Sequence, residues 1–213
     1  MLAVLGSGLD RSATGLVEAW STAGAKLLSA EDLSRAGWAF RVAAPGAGVA
    51  VVGGERVPVS QIRAVVTRRP AVLAEELAAI EPADRAYLAA EMNAFLVAWL
   101  SALPCPELNR PTPRSLSGPA WTALHWAAAA AEVGVHWVAE PVGPTHDVVV
   151  CGTACLDARS AGETAAAQAL AQRAGVELLG VRFCTAGVCA ATTIPPLDTH
   201  DIRAAVLDHL GAA

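Results

Sequence analysis

Two short stretches govern how this chain is read: Ile62-Arg63-Ala64-Val65-Val66-Thr67-Arg68-Arg69-Pro70 and Glu107-Leu108-Asn109-Arg110-Pro111. The first is a β-branched run closed by two cations and a proline, and proline has no amide hydrogen with which to continue a ladder. The second follows a long helical region over 83–103. Its apolar positions Tyr87, Leu88, Met92, Phe95, Leu96, Trp99 and Leu100 recur at intervals of three and four, which predicts a wide buried stripe.

Upstream, residues 2–5 form an apolar run that ends in Gly6-Ser7-Gly8. Residues 11–23 carry Leu16, Val17 and Trp20 at helical spacing and stop at Gly24. Lys26-Leu27-Leu28 reads as a second strand. Ser29 can cap a helix over 30–36, with Asp32 at its third position. Strand, helix, strand, helix predicts an α/β layer on a parallel sheet. Two further strands, 38–42 and 49–52, are expected to form a hairpin through Pro45-Gly46-Ala47-Gly48.

Downstream, Pro104, Pro106, Pro111, Pro113 and Pro119 interrupt regular structure, so a boundary is expected there, dividing the chain into 1–110 and 111–213. The second part reads as helix 121–133, strand 135–139, strands 146–151 and 154–158, helix 162–174, strands 177–184 and 188–192, and helix 199–210.

The 213 residues are 54% hydrophobic and 16% charged, with a formal net charge of −5. Such a chain can bury a core, which excludes a disordered protein, and its acidic balance argues against nucleic acid as a partner. The apolar stretches 94–103 and 120–131 fall short of the ~18 residues that a membrane span requires. The start lacks the basic n-region of a signal peptide. The expectation is a soluble, cytoplasmic protein with no membrane partner. Lys26 is the sole lysine among the 15 basic residues, so lysine-dependent chemistry has one candidate.

Cys105, Cys151, Cys155, Cys184 and Cys189 are odd in number, which favours reduced thiols. Along an extended strand Cys151 and Cys155 would lie roughly 13 Å apart, too far to share a zinc ion unless Gly152-Thr153 turns the chain. Cys184 and Cys189 flank a hairpin-like loop, a placement that could set them facing one another across two strands. Buried cysteine acting as a small hydrophobe is the preferred reading of these residues, with metal binding and a disulfide as the alternatives. Gly6-x-Gly8 lacks the third glycine of a dinucleotide fingerprint, the place being taken by Arg11. In Asp198-Thr199-His200-Asp201 the carboxylates beside an imidazole are explained by helix capping.

At Arg68-Arg69-Pro70 and Asn109-Arg110-Pro111 the chain resembles the ATP-grasp peptide ligases that mature ribosomal peptides, the microviridin-type and related graspetide maturases. Trp121 to Val135 resembles their next helix and strand. His146 to Gly152, Leu178 to Phe183 and the helix over 199–210 resemble their final module. The resemblance implies a reduced ATP-grasp-like α/β fold: an N-terminal pre-ATP-grasp-like layer followed by a C-terminal α+β sheet-and-helix remnant. The departures are informative. Trp121 stands where the family places a lysine, and only residues 138–145 separate the halves that normally flank a nucleotide-binding segment. The family's magnesium-holding carboxylate and Glu-x-Asn are replaced around Ala190-Ala191-Thr192-Thr193-Ile194-Pro195. Phosphoryl transfer depends on cations and Mg²⁺ to neutralise developing charge, so the chain is expected to lack ATP binding, to use no cofactor or metal, and not to be an enzyme.

What remains is the capacity to hold a precursor or leader peptide on behalf of a separate modifying enzyme, in ribosomal-peptide biosynthesis. Arg68, Arg69 and Arg110 could meet peptide carboxylates, with Asn109 of the second motif beside them; structural ion pairs to Glu75, Glu76 or Glu107 are the competing role. Trp121, Trp126 and Trp137 could line a groove or belong to the core. The long helix makes a homodimer plausible. Two other functions stay open: a thiol- or metal-dependent modifying enzyme using Cys184/Cys189 or the His/Asp pair near residue 200, and a scaffold subunit of a split ATP-grasp ligase.

Overall fold

Leu2, Ala3, Val4 and Leu5 are all fully buried, and this run forms strand β1 (Leu2–Leu5) inside a parallel sheet. The computed structural model describes residues 1–211, which fall into two units, Met1–Ser117 and Gly118–Gly211. The first unit extends past the expected edge at residue 110. The Leu116 amide donates to the Pro70 carbonyl at 2.8 Å, and Thr112 and Ser115 bridge one another.

In the first unit β1 is followed by α1 (Arg11–Ala19), β2 (Ala25–Leu28) and α2 (Ala30–Leu33). Asp10 caps α1 by accepting from the Ser12 amide at 2.8 Å. Gly6 has no room for a side chain, because a Cβ there would lie 2.6 Å from Ala13 Cβ, so α1 packs directly onto the end of β1. Then come β3 (Val49–Val52), β4 (Glu55–Pro58), β5 (Ala64–Thr67), α3 (Arg85–Ala102) and β6 (Glu107–Leu108). The sheet order is β2-β1-β5-β6, parallel throughout.

The expected hairpin through Pro45-Gly46-Ala47-Gly48 does not form. Pro45–Ala47 is a 3₁₀ turn, and the strand expected over 38–42 is reduced to a single bridge between Ala39 and Val49. β3 pairs instead with β4 across Gly53-Gly54, whose φ values of +60° and +79° supply the two left-handed residues that a tight hairpin needs. Asp32 fixes this turn from below. Its carboxylate closes the Ser29 capping box and accepts from the Gly53 and Gly54 amides at 3.3 and 2.7 Å. Trp38, displaced from any strand, packs edge-on against Phe95 and Trp99. Helix α3 buries Ala89, Leu96, Trp99 and Leu100, but Tyr87 is 67% exposed and leaves the predicted stripe.

The second unit contains α4 (Ala123–Glu132), β7 (His146–Cys151), β8 (Ala154–Leu156), α5 (Ala161–Ala174), β9 (Leu178–Cys184), β10 (Gly187–Thr192) and α6 (His200–His209). Its sheet runs β10-β9-β7-β8 and is antiparallel. The strand expected over 135–139 is only a parallel bridge between Trp137 and Val188. α4 and α5 cover one face, where Trp126, Ala130, Val148, Val150, Leu170 and Leu179 pack together. α6 packs on β7 on the opposite face, where the Cys151 thiol lies 3.7 Å from the Ala205 carbonyl. No helix among the described residues is long and apolar enough to cross a membrane.

Asp32 is 4% exposed, and its removal leaves the Gly53 and Gly54 amides without their acceptor. Asp32→Ala is therefore expected to cost about 2–4 kcal/mol in chemical denaturation, against a smaller loss for Asp32→Asn. Equal stability of Asp32→Ala and the unaltered protein would show that this carboxylate does not hold the turn.

Candidate functional site

In the first sheet β1 lies between β2 and β5, so the chain leaves β1 to one side and later returns on the other. Loops diverge at such a reversal and open a crevice beyond the carboxyl ends of the strands, the usual ligand position of open α/β sheets. Leu5 is level with Thr67, so Gly6-Ser7-Gly8 and Arg68-Arg69 emerge side by side. β6 adds the next strand, with Leu108 level with Val66, so Asn109 follows at the same end. Two motifs distant in sequence thus converge.

Arg68 and Arg69 are 5% and 6% exposed. Burying a guanidinium is expensive unless its donors are used. Arg69 uses most of them: Nε donates to the Ala71 carbonyl at 2.8 Å, Nη1 reaches the Gly6 carbonyl at 3.4 Å, and the fork grips both oxygens of Glu76. Of the candidate partners, Glu76 is therefore the one that Arg69 takes. Arg68 Nη2 lies 3.4 Å from Ser12 Oγ and ties the end of β5 to the first turn of α1. Asn109 is buried with φ +58°, the left-handed conformation that asparagine tolerates better than most residues. Arg110 is exposed.

Beside this end of the sheet runs an open cavity of about 540 Å³, lined among others by Pro70, Ala94, Val97, Pro113, Arg114 and Leu116. Its wall is firm. Asn93 on α3 accepts from the Val72 amide at 2.8 Å and donates to the Val72 carbonyl at 3.0 Å, tying the segment after β5 to the helix. The floor is mostly apolar, while Arg110 and Arg114 are exposed. Neither Asn93 nor Arg114 was singled out in the sequence, because their roles depend on α3 lying against the 70–72 segment.

The tryptophan candidates belong to the second unit. Trp126 is 3% exposed within the core, and Trp121 meets it edge-on at 4.7 Å with the Arg173 guanidinium 5.8 Å over its ring. Trp137 is partly buried against the same cluster. Here a second cavity of about 520 Å³ is lined by Val133, His136, Glu163, Ala166, Phe183 and Val188 among others. His146 stacks on Phe183 and holds Glu163 at 3.0 Å. Burial alone would raise the Glu163 carboxyl, but the Arg159 amide, the His146 ring and nearby charge outweigh it and hold it below the usual carboxylate range.

Gly152-Thr153 does turn the chain, yet Cys151 and Cys155 still do not converge. Cys151 is level with Ala154 and Cys155 with Val150, so they face opposite sides of the sheet. Around residues 190–196 a smaller cavity of about 200 Å³ includes Asp147, whose carboxylate is held by the Arg182 fork at 2.7 and 2.9 Å. Among the described residues no cluster of three or more His, Cys, Asp or Glu side chains is placed to hold a metal ion. Lys26 is paired with Glu55 at 2.5 Å.

Two substitutions test this account. Arg69→Ala strands Glu76, whose side chain is 16% exposed, and should cost about 3 kcal/mol in urea unfolding. A loss below about 0.5 kcal/mol would show that the pair is not structural. For Glu163, a depressed carboxyl stabilises the fold at pH above its unfolded value of about 4.3, and that contribution is lost as pH falls through the lower folded value. Glu163→Gln should therefore be less stable than the unaltered protein at pH 7, with the gap closing below about pH 4. A pH-independent gap would contradict it.

No family model and no curated protein matches the chain. Solved structures do. The macrocyclase MdnC bound with precursor peptide MdnA, from Microcystis aeruginosa MRC, superposes with a TM-score of 0.73 at 9% identity, covering 100% of this chain and 99% of that one. The macrocyclase MdnB from the same organism gives 0.73 at 13% identity, with 98% of each chain covered. The ATP-grasp ligase PsnB complexed with minimal precursor, Mg and ADP gives 0.71 at 10% identity, covering 99% and 98%. The chain therefore has the mixed α/β fold of these two macrocyclases and of the ATP-grasp ligase PsnB.

Proposed function

We propose that this protein acts in ribosomal-peptide biosynthesis as a non-catalytic binder of a precursor or leader peptide, presenting it to a separate modifying enzyme. The observation that carries this reading is the 540 Å³ cavity beside the carboxyl end of the parallel sheet, apolar on its floor and lined by the exposed Arg114, with the exposed Arg110 just upstream in the same segment. Apolar anchors of an extended peptide would occupy the floor, and peptide carboxylates would meet the arginines. The fold it shares with peptide ligases, two of them complexed with precursors, supports the same class of ligand.

The residues present favour binding over ATP chemistry. The only lysine is engaged with Glu55, and Asp147 is engaged with Arg182 beside the stretch where the family resemblance calls for magnesium ligands. Buried Arg68 and Arg69 act as supports of the crevice in this reading, and the peptide contacts fall to Arg110 and Arg114.

Isothermal titration with short peptides encoded beside this gene tests the proposal. Binding should appear with one of them, and the Arg110→Glu/Arg114→Glu double variant should weaken it at least tenfold, about 1.4 kcal/mol. Both side chains are exposed, so thermal stability should stay unchanged. No heat with any such peptide would overturn the reading, and peptide-stimulated ATP hydrolysis by the protein alone would overturn its non-catalytic part.

A further inference from the structure

The hairpin of β9 and β10 contains a feature that peptide binding does not use. Cys184 is level with Gly187 and Phe183 with Val188, but Arg182 is level with Ala190. Cys189 is therefore the extra residue of a β-bulge. In a regular ladder Cys189 would be a diagonal neighbour of Cys184; the bulge re-aims it. The two cysteines sit diagonally across the two strands, and Cys189 Sγ lies 3.5 Å from the Arg182 carbonyl.

Around Cys184 the backbone forms a cradle. The Val142 segment lies against the turn Thr185-Ala186-Gly187 that follows it. Thr185 secures the cradle, its amide and its hydroxyl donating to the Val142 carbonyl at 3.1 and 2.7 Å. Gly187 is required for this closeness, since a Cβ there would meet the His136 carbonyl at 2.6 Å. Cys184 is buried at 9% exposed but is followed by the exposed turn residues Thr185 and Ala186, and Cys189 is half-buried.

We propose that Cys184 and Cys189 are a redox-active dithiol that exchanges with small-molecule disulfides and closes to an intramolecular disulfide. Cys184 has lost its proton to solvent when it attacks one sulfur of the incoming disulfide. A mixed disulfide forms and the first small thiolate leaves, taking up a proton. Cys189 then gives up its proton and attacks Cys184 Sγ, and the second small thiol leaves. The protein surrenders two electrons and two protons, and the small disulfide is reduced to two thiols.

The asymmetry of the pair suits this order. Backbone amides, that of Val142 foremost, hold the Cys184 thiol below its usual range, whereas burial and the neighbouring Cys184 raise Cys189. The charged groups facing Cys189 are Arg182, which favours its thiolate, and Asp147, which opposes it. The other cysteines are unreactive by comparison. Burial, with Glu177 adding to it, pushes Cys151 up to about 11, and burial also raises Cys105 and Cys155.

The test is incubation of the full chain with oxidised glutathione, followed by alkylation and peptide mass mapping. The peptide carrying Cys184 and Cys189 should be two hydrogens lighter and closed to alkylation, while Cys105, Cys151 and Cys155 stay free to alkylate after unfolding. Cys189→Ser should stop at a glutathione adduct on Cys184, and Cys184→Ser should slow adduct formation at Cys189 at least tenfold. Adducts spread evenly over the five cysteines, or no adduct on Cys184 in Cys189→Ser, would overturn the proposal. Its outcome is independent of peptide binding.

Discussion

β1 is closed in on every side. β2 and β5 take its two edges, Ala3 and Leu5 join the cluster of Leu96, Trp99 and Leu100, and α1 is drawn up to its end by the bare Gly6. Four fully buried residues in a strand cannot leave a backbone amide or carbonyl unpaired without a cost of a few kcal/mol each. The parallel neighbours are therefore obligatory, and they set where the loops after β1, β5 and β6 emerge. The convergence of Arg68, Arg69 and Asn109 is a consequence of that enclosure.

Enclosure also explains how buried charge is managed. Two adjacent guanidinia under the loops would be costly if unanswered, and Arg69 is answered by a bidentate carboxylate and two carbonyls. Asp32 is handled in the same way, with amides from its own helix cap and from the β3–β4 turn. Each buried ion holds together segments far apart in sequence, which makes these groups struts of the crevice.

The second unit follows a different logic. Its antiparallel sheet carries helices on both faces, so neighbouring residues on one strand enter different environments. Val150 joins the apolar cluster with α4 and α5, while Cys151 meets α6. Gly180 allows the segment at Pro195 to cross the sheet closely, since a Cβ there would lie 2.7 Å from Pro195 Cβ. The bulge at Cys189 interrupts the β9–β10 ladder next to Cys184, so the two thiols share the irregular end of the hairpin.

Local pattern alone carried a large part of this. Helical spacing, caps and glycine stops located α1, α3, α5 and α6, and the Ser29–Asp32 box appears as the spacing suggested, because each depends on contacts within a few residues. The resemblance at Arg68-Arg69-Pro70 and Asn109-Arg110-Pro111 pointed to the fold that the solved ligases share. Strand partnership was not local. Val49–Val52 could have paired with either flank, and the two left-handed glycines decided for β4. Nor could the sequence tell buried Arg69 from exposed Arg110, or place His146 on Glu163. Those distinctions depend on burial and on partners up to dozens of residues away, which only the packed sheets and helices determine.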